Sequence, residues 1–348
     1  MTTATQIHAF NLLGKFLKSF PDGMGGYAIK ENVIKLEEAI QQSCNLNPWF
    51  TRENILKALH SIGNSLEESK TEHWLLPYRN KLNLSKDQKT VALVMAGNIP
   101  LVGFHDFLCV LVSGHKALIK LSSNDDKLLP VLSQILIDAE PSFAGKIEFA
   151  ENKLAGFNAV IATGSNNSSR YFEYYFGKYP NIIRKNRNSV AILTGNEMPD
   201  KLKKLGNDML TYFGLGCRSV SFVYVPENYS FQPLSDAIAP FRYCIDHNKF
   251  RNNYDYHKSL FIMNNIAHYD TGILLFRPEN TLQSAVSVVH YSVYNNLSEV
   301  ETTIAQRRDD IQCIVGNYPG AIPFGTAQEP ELWDYADGVD TLNFLLSL

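Results

Sequence analysis

The sequence lacks an excess of charge of either sign, since 32 Lys and Arg residues face 35 Asp and Glu residues and the net charge is -3. Such a balance gives no electrostatic footprint for nucleic acid or for an anionic membrane. It also lacks an apolar run that could cross a bilayer, because Asn98, Asp106 and His115 interrupt the most apolar region, residues 91–119. We therefore expect neither nucleic acid nor a membrane span.

Paired cysteines are absent as well. The five cysteines are an odd number and show neither CxxC spacing nor clustering with histidine. This favours reduced thiols over disulfides and predicts no metal site. The first residues, Met1 to Gln6, lack the basic start and apolar run of a secretion signal. These absences together predict a cytoplasmic protein.

The periodicity of apolar residues changes along the chain. Spacings of three and four residues predict helices up to about residue 85. From Thr90 onward short apolar runs alternate with amphipathic segments, which is typical of crossover units around a parallel sheet covered by helices. The alternation starts again near residue 189. The pattern therefore predicts an α/β protein with two lobes, preceded by a helical segment.

Several predicted elements bear on the site. The predicted helices include Leu101–Ser113, Asp125–Asp138 and Pro199–Phe213, and the predicted strands include Ser189–Leu193, Ser219–Val225 and Ser259–Met263. The polar segment from Asn252 to Lys258 is interpreted either as the mouth of a site or as a solvated loop.

The hexapeptide from Gly214 to Ser219 contains a cysteine between small residues, at the point where a helix pattern ends and a strand pattern begins. A cysteine nucleophile must be reachable, and nearby positive charge or backbone N–H groups must lower its pKa. Gly216 permits a tight turn that could aim amides at a reacting carbonyl, and Arg218 supplies the charge. The alternative is that Cys217 is a small buried hydrophobe, as most free cysteines are.

Three loops follow predicted strands, which is where parallel α/β sheets bind ligands. They are Ala96–Pro100, Lys120–Ser123 and Thr163–Asn166. A Gly164-Ser165 step at a helix N-terminus suits an anion. Lys120 with Ser122 and Ser123 offers a cation and two hydroxyls for a phosphate. The alternatives are an ordinary helix cap and a solvated strand end, and the GxGxxG dinucleotide fingerprint is absent from this region.

In their order, these motifs resemble the aldehyde dehydrogenase superfamily, and more closely its acyl-CoA reductase branch, the LuxC-type long-chain reductases. The resemblance runs from about Trp74 onward. It rests on Gly97–Pro100 as the Asn-x-Pro loop, Lys120–Ser123 as the Lys-Pro-Ser-Glu motif, Thr163–Ser165, Gly214–Ser219 as the Gly-x-x-Cys turn, and Pro323–Gly325 as Pro-Phe-Gly. Residues 334–340 also resemble the reductase branch.

The resemblance implies an aldehyde dehydrogenase-like α/β fold, with two Rossmann-like three-layer lobes, parallel sheets and a helical N-terminal segment. The implied division is a helical segment over residues 1–85, an NADPH-binding domain over 86–188, a catalytic domain over 189–320, and a segment over 321–348 that returns across the lobes. It further implies a homo-oligomer.

The resemblance also implies roles for individual residues. Cys217 would attack the carbonyl, and Asn98 would donate its side-chain amide to the oxyanion, with Gly216 and Arg218 in support. The residues implied to bind the cofactor are Gly97, Lys120, Ser122, Ser123, Thr163, Gly164 and Ser165, with Lys120 at the ribose or its phosphate and the Gly-Ser step at the pyrophosphate.

One departure from the superfamily concerns its hydrolytic glutamate. The corresponding segment here reads Ile183-Arg184-Lys185-Asn186-Arg187, which has no carboxylate to activate a deacylating water. The departure favours reduction of an acyl-CoA or acyl-carrier thioester to the aldehyde, with CoA as the leaving group. Glu197, downstream, is interpreted as a surface residue.

A second departure is Ser123, where relatives that prefer NAD have a glutamate. Without that carboxylate, a 2′-phosphate is not repelled and Lys120 can pair with it. The prediction is NADPH, with NAD as the alternative.

Two other functions stay open from the sequence. One is an NAD(P)-dependent aldehyde dehydrogenase that releases free acid with an unrecognised base. The other is a non-catalytic scaffold with the same fold, acting as the partner of an acyl transferase. The histidines show no metal-ligand spacing and are interpreted as packing or surface residues, with His247 as the one candidate for a functional role.

Overall fold

The structure, a computed structural model, describes residues 3–21, 30–83, 87–151, 153–164 and 166–348. The chain forms two compact units. Unit 1 extends to Lys185 and resumes at Pro330, and unit 2 comprises residues 186–329. Unit 2 is therefore inserted into the sequence of unit 1, and the predicted helical segment belongs to unit 1.

Unit 1 begins with helices, as the periodicity predicts. They are α1 (Thr3–Ser19), α2 (Lys30–Leu46), α3 (Arg52–Ser65), α4 (Glu68–Leu75) and α5 (Arg79–Leu82). Thr51 caps α3, since its hydroxyl accepts the N–H of Asn54 at 3.2 Å.

A parallel sheet follows. Its elements are β1 (Thr90–Val94), α6 (Phe104–Val112), β2 (Lys116–Lys120), α7 (Leu128–Ala139), β3 (Ile147–Phe149), β4 (Ala159–Thr163), α8 (Asn166–Phe176) and β5 (Asn181–Arg184). The strand order is β3-β2-β1-β4-β5, so the winding direction changes between β1 and β4. This is the doubly wound arrangement, in which ligands bind at the carboxyl ends of the strands next to that change.

Helices cover both faces of this sheet. Val91 and Leu93 belong to the large core that also contains α6 and α7. The alternate residues Ala92 and Val160 pack instead against Phe172 of α8. The alternation follows from the period of two along a strand, and it produces the three-layer lobe that the sequence predicts.

Unit 2 contains a second sheet. Its elements are β6 (Asn188–Ile192), α9 (Pro199–Leu210), β7 (Val220–Pro226), α10 (Gln232–Ile238), α11 (Tyr243–Asp246), α12 (Asn248–Met263), β8 (Tyr269–Asp270), β9 (Leu275–Pro278), β10 (Val288–Tyr294), α13 (Leu297–Gln306) and β11 (Ile311–Gly316). The order is β11-β6-β7-β10-β9-β8, parallel except for the β8–β9 pair. Val190, Phe222 and Ile314 pack with Val300 and Ile304 of α13.

The returning residues complete unit 1 with α14 (Thr341–Leu345). Arg184, at the end of β5, is buried and holds this segment. Its guanidinium donates to both carboxylate oxygens of Asp106, at 3.2 and 2.7 Å, to the carbonyl oxygen of Ala336 at 2.7 Å, and to the Thr341 hydroxyl at 2.8 Å. A bidentate pair with further hydrogen bonds satisfies a guanidinium that burial would otherwise destabilise.

Several predictions of secondary structure need correction, among them the helix predicted from Leu101, which begins only at Phe104. The predicted strand Ser259–Met263 is wrong, because these residues continue α12: Phe261 is buried, while Ile262 and Met263 are exposed. β5 is missing from the prediction. The helix predicted from Asp125 begins only at Leu128, which leaves Asp125 in the loop after β2.

Among the helices of the described residues, none is both long and apolar enough to cross a membrane.

Candidate active site

The turn before Cys217 has an unusual backbone. Tyr212, Phe213 and Gly214 all have positive φ, at 54°, 56° and 76°. Aromatic residues seldom adopt this left-handed conformation, and it persists only where packing imposes it. Both aromatic side chains are buried, and the Phe213 ring lies 4.4 Å from the ring of His247. The predicted helix Pro199–Phe213 therefore ends at Leu210, and a 3-10 turn leads to the cysteine.

Cys217 is half-buried and lies just before β7. The Ser189 hydroxyl, fully buried on β6, donates to the Cys217 carbonyl oxygen at 2.9 Å. The N–H of Ser219 donates to the carbonyl oxygen of Gly216 at 3.0 Å and closes the turn around the cysteine. The backbone of the predicted nucleophile is thus fixed on both sides.

The Pro-Phe-Gly segment supports the same turn. The Asp208 carboxylate, 1% exposed on α9, accepts the N–H groups of Gly325 at 2.6 Å and Ala327 at 3.0 Å. Gln328 then donates its side-chain amide to the Ser219 hydroxyl at 3.0 Å. Arg218, predicted to supply charge beside the sulfur, donates to the Ala327 carbonyl oxygen at 3.4 Å.

Ser189, Asp208 and Gln328 escape the sequence analysis. No motif marks them, and they lie 28, 9 and 111 residues from Cys217 in the chain. The signal that could have drawn attention to Asp208 is its position among the buried apolar residues of an amphipathic helix, where an unpaired carboxylate would be costly.

A pocket of about 200 Å³ adjoins the turn, at the amino ends of β6, β7 and β10. Its polar lining comprises Asn186, Arg187, Asn188, Ser219, Ser221, Gln283, Ser284 and Ser287. Its apolar lining includes Met209, Phe213, Leu215, Phe250 and Val288. No Asp or Glu occurs among the described residues that line it. This pocket therefore offers no carboxylate as a general base.

The segment Ile183–Arg187, which stands where the superfamily has its hydrolytic glutamate, is divided between the two units. Arg184 belongs to the buried ion pair with Asp106 in unit 1. Asn186 and Arg187 line the pocket in unit 2. Glu197 accepts the N–H groups of Thr194 and Gly195, at 2.6 and 3.1 Å, and so closes a turn after β6.

His247 and its neighbours have structural positions. The His247 ring accepts the N–H of Phe250 at 3.4 Å and caps α12. The segment Asn252–Lys258, interpreted from the sequence as a mouth or a loop, lies within α12. The loop interpretation is therefore wrong, and a position at the mouth of a site stays a prediction.

In unit 1 the structure brings the three predicted loops to one edge of the sheet. β1 lies between β2 and β4 and is parallel to both, so the carboxyl ends of the three strands are adjacent. The loop after β1 contains Gly97 and Asn98, of which Gly97 is buried and Asn98 exposed. A Cβ on Gly97 would lie 2.6 Å from the Ser122 hydroxyl oxygen, so this approach of the two loops requires glycine.

The predicted cofactor residues occupy the same edge. The ammonium group of Lys120 donates to the carbonyl oxygen of Glu151 at 2.7 Å, and Ser123 is exposed. Thr163 ends β4, and Gly164 packs so closely under α8 that a Cβ would lie 2.8 Å from the Phe172 ring. The structure brings these residues together, but Ser165 lies outside the described residues.

These residues fit a nicotinamide dinucleotide in their chemistry. Gly164 lies close to the start of α8, whose first N–H groups and dipole favour a phosphate. Lys120 places a cation at the carboxyl end of β2, which β1 separates from β4. No group of three or more metal-ligating side chains occurs within the part of the chain that the structure describes.

No protein-family model and no curated protein matches the chain. Solved structures do. The aldehyde dehydrogenase 21 of Physcomitrella patens, in complex with the reaction product succinate, is 12% identical and matches 98% of this chain and 87% of its own with a TM-score of 0.60. An indole-3-acetaldehyde dehydrogenase in complex with NAD+ is 12% identical and matches 92% and 74% at 0.63. An NAD+ complex of an aldehyde dehydrogenase from Bacillus cereus is 13% identical and matches 90% and 72% at 0.60.

At these identities the likeness concerns the fold. The chain has an aldehyde dehydrogenase-like α/β fold, which confirms the fold class predicted from the sequence. The LuxC-type branch stays a prediction.

Proposed function

We propose that the chain is a nicotinamide-dependent oxidoreductase that acts on an aldehyde through an acyl group bound to Cys217. The observation that supports this most directly is the cysteine turn: a half-buried thiol on a backbone held by Ser189 and Ser219, next to a pocket. The aldehyde dehydrogenase-like fold supports the proposal independently. So does the edge of the unit 1 sheet at which the carboxyl ends of β2, β1 and β4 are adjacent, which we call the ligand edge.

The chemistry of the chain's own residues follows from this arrangement. The Cys217 thiolate attacks a carbonyl carbon, and negative charge develops on the carbonyl oxygen. The resemblance assigns the stabilisation of that oxygen to Asn98, and one such donor typically contributes about 3 to 4 kcal/mol. An aldehyde and an acyl thioester differ by the two electrons that a bound nicotinamide carries as hydride.

Two fates of the acyl group have separate support. Transfer to water, which releases free acid, is favoured by the similar structures, since these are aldehyde dehydrogenases and one contains succinate as product. Exchange with a thiol, and hence reduction of an acyl-CoA or acyl-carrier thioester, is favoured by the pocket lining, which holds no carboxylate among its described residues. The similar structures are stronger support for oxidation of an aldehyde to free acid than the pocket lining is for reduction of a thioester.

The cofactor proposal has a general part, a nicotinamide cofactor, and a specific part, NADPH in preference to NADH. The similar structures include NAD+ complexes, which supports a nicotinamide cofactor in this fold. For NADPH over NADH the support is the pair of Lys120 and the exposed Ser123, without a carboxylate at the latter position. The homo-oligomer and the acyl transferase partner stay predictions from the resemblance.

One experiment tests the proposal and separates the two fates. The protein is incubated with aldehydes and NAD+ or NADP+, with and without CoA, and with acyl-CoA and NADPH or NADH, and the products are identified. Acid formed without CoA supports the dehydrogenase; aldehyde formed from acyl-CoA supports the reductase. Cys217→Ala should lower either activity by roughly 10³-fold or more, whereas Cys44→Ala, a half-buried cysteine on α2, should not. Wild-type protein that turns over no substrate, or a fully active Cys217→Ala protein, would contradict the proposal.

A further inference from the structure

Asp125 connects two loops at the ligand edge of unit 1. It lies in the loop after β2, before α7 begins, and it is 8% exposed. Its carboxylate oxygen Oδ2 accepts the backbone N–H of Leu101 at 2.7 Å. Leu101 lies in the loop after β1, three residues beyond Asn98, so a buried carboxylate of one loop holds the backbone of the other.

The residue that Asp125 holds has a strained backbone. Leu101 has a φ of 57°, in the left-handed region, and its side chain is buried. A residue with a Cβ adopts this conformation at a cost of roughly 1–2 kcal/mol. Hydrogen bonds to a carboxylate are stronger than those to a neutral acceptor. The bond from Leu101 to Asp125 therefore offsets the strain and fixes the direction in which the loop leaves its turn.

The other end of this loop is tied to the same partner. Gly97 packs against Ser122, with no room for a Cβ. The side-chain amide of Asn47 donates to the carbonyl oxygens of Gly97 at 3.5 Å and Asn124 at 3.3 Å, and so bridges the two loops. The loop from Gly97 to Leu101 is anchored at both ends, with the exposed Asn98 between the anchors.

Burial of the Asp125 carboxylate at this position costs free energy. Its other oxygen, Oδ1, is buried and has no hydrogen-bond partner among the described residues. Burial raises the pKa of Asp125 to about 7, and the nearby Asp126 carboxylate acts in the same direction. An apolar residue would avoid this desolvation cost, so the hydrogen bond to Leu101 is the contact that distinguishes an aspartate here.

We propose that Asp125 is a positioning residue for the reaction, which holds the Leu101 backbone and thereby the conformation of the loop that carries Asn98, the residue implied to donate to the oxyanion. This inference rests on the proposed function. It assigns Asp125 no contact with substrate or cofactor. Its action passes through Asn98, which makes it testable by a cycle of substitutions.

The test compares kcat and KM for the wild type, Asp125→Ala, Asn98→Ala and the double variant. Loss of an oxyanion donor lowers kcat by about 10² to 10³. We expect Asp125→Ala to lower kcat by roughly 10-fold or more, with little change in KM for the cofactor, and to have almost no further effect in the Asn98→Ala background. Asp125→Asn, whose amide oxygen can still accept the Leu101 N–H, should restore most of kcat.

The control is Asp126→Asn, which removes the adjacent carboxylate and should leave kcat unchanged. Urea unfolding verifies that each variant folds, and Asp125→Glu, which displaces the acceptor, replaces Asp125→Ala if the latter does not. Equal loss of kcat from the Asp125 substitution with and without Asn98, or no recovery in Asp125→Asn, overturns the positioning role while the proposed function stands. A wild-type protein without nicotinamide-linked turnover overturns both.

Discussion

The two candidate regions of the molecule are built in different ways. In unit 1 the predicted ligand residues lie at the carboxyl ends of β2, β1 and β4, and close backbone approaches at Gly97 and Gly164 shape the edge. In unit 2 the predicted nucleophile lies at the amino end of β7, on a turn that buried side chains hold. The edge in unit 1 depends on glycines, because a Cβ at these positions would prevent the close approach. The turn in unit 2 depends on polar side chains from other parts of the chain.

This difference explains which parts a sequence can disclose. A glycine that permits close approach lies inside the motif that it serves, so the motif is self-contained. A turn held by Asp208 and Gln328 depends on contacts between segments more than 100 residues apart, made by side chains that belong to no motif. The comparison also predicts where substitutions have their largest effects.

Asp208→Ala should have the largest effect on stability. It leaves the N–H groups of Gly325 and Ala327 without their acceptor in a buried place, and each such loss costs about 1–3 kcal/mol. We expect the free energy of unfolding to fall by roughly 2–5 kcal/mol in urea denaturation. Glu140→Ala is the matched control, because Glu140 also accepts a backbone N–H, that of Ser142, but at an exposed site. If both substitutions lowered the free energy of unfolding by the same small amount, the prediction that the buried acceptor matters more would be contradicted.

Asp125→Asn should change how stability depends on pH. The folded-state pKa of about 7 lies above the ordinary aspartate pKa of 3.8, so the folded state binds the proton more tightly and the wild type loses stability as pH rises between these values. The slope approaches about 1.4 kcal/mol per pH unit. Urea unfolding from pH 5 to pH 8 should show the Asn variant gaining on the wild type up to about pH 7. Parallel stability curves would contradict the prediction.

Gly164→Ala should disturb the ligand edge of unit 1 and spare the cysteine turn. The new Cβ would lie 2.8 Å from the Phe172 ring and 2.9 Å from the Ser168 Cβ, and overpacking of this kind costs about 1–3 kcal/mol. We expect weaker binding of NADPH or NADH in a fluorescence titration and an unchanged alkylation rate at Cys217. Gly145→Ala, with nothing within 4 Å of its Cβ, serves as the neutral control. Unaltered dinucleotide binding in Gly164→Ala would place the cofactor elsewhere.

Ser123→Glu should have the smallest effect. A carboxylate at this exposed position would repel a 2′-phosphate but not a ribose hydroxyl, so the ratio of the Kd for NADPH to that for NADH should rise by roughly 10-fold. Ser123→Gln controls for size without charge. A ratio that changes equally in both variants would remove the electrostatic argument for NADPH.

The sequence predicts the fold class because its signal is periodic and repeated. The strands of unit 1 except β5 and the helices around them follow from apolar runs of the expected length. β5 is missed because it is short and ends in Arg184, whose charge is compensated only by Asp106 and the returning segment. The end of α12 is misassigned because Phe261, Ile262 and Met263 form an apolar run, although Phe261 alone among them is buried.

For the candidate site, local motifs identify the cysteine turn and the strand-end loops but not their support. The left-handed pair Tyr212 and Phe213 carries no local sequence signal, because tertiary packing imposes a backbone that these residues disfavour. Asp125 is predicted as part of a helix, but it lies in the loop before α7 and its carboxylate binds the backbone of Leu101. Contacts over long sequence separations, which no periodicity encodes, decide both cases.

The ion pair of Arg184 has a consequence for the order of events during synthesis. Arg184 pairs with Asp106, 78 residues earlier, and with Thr341, 157 residues later, and all of unit 2 is translated between Arg184 and Thr341. We therefore expect unit 1 to stay incomplete during synthesis, because Arg184 lacks its partner Thr341 until unit 2 has been translated. A unit 2 that has already folded shortens the effective loop to be closed, so its folding speeds the completion of unit 1.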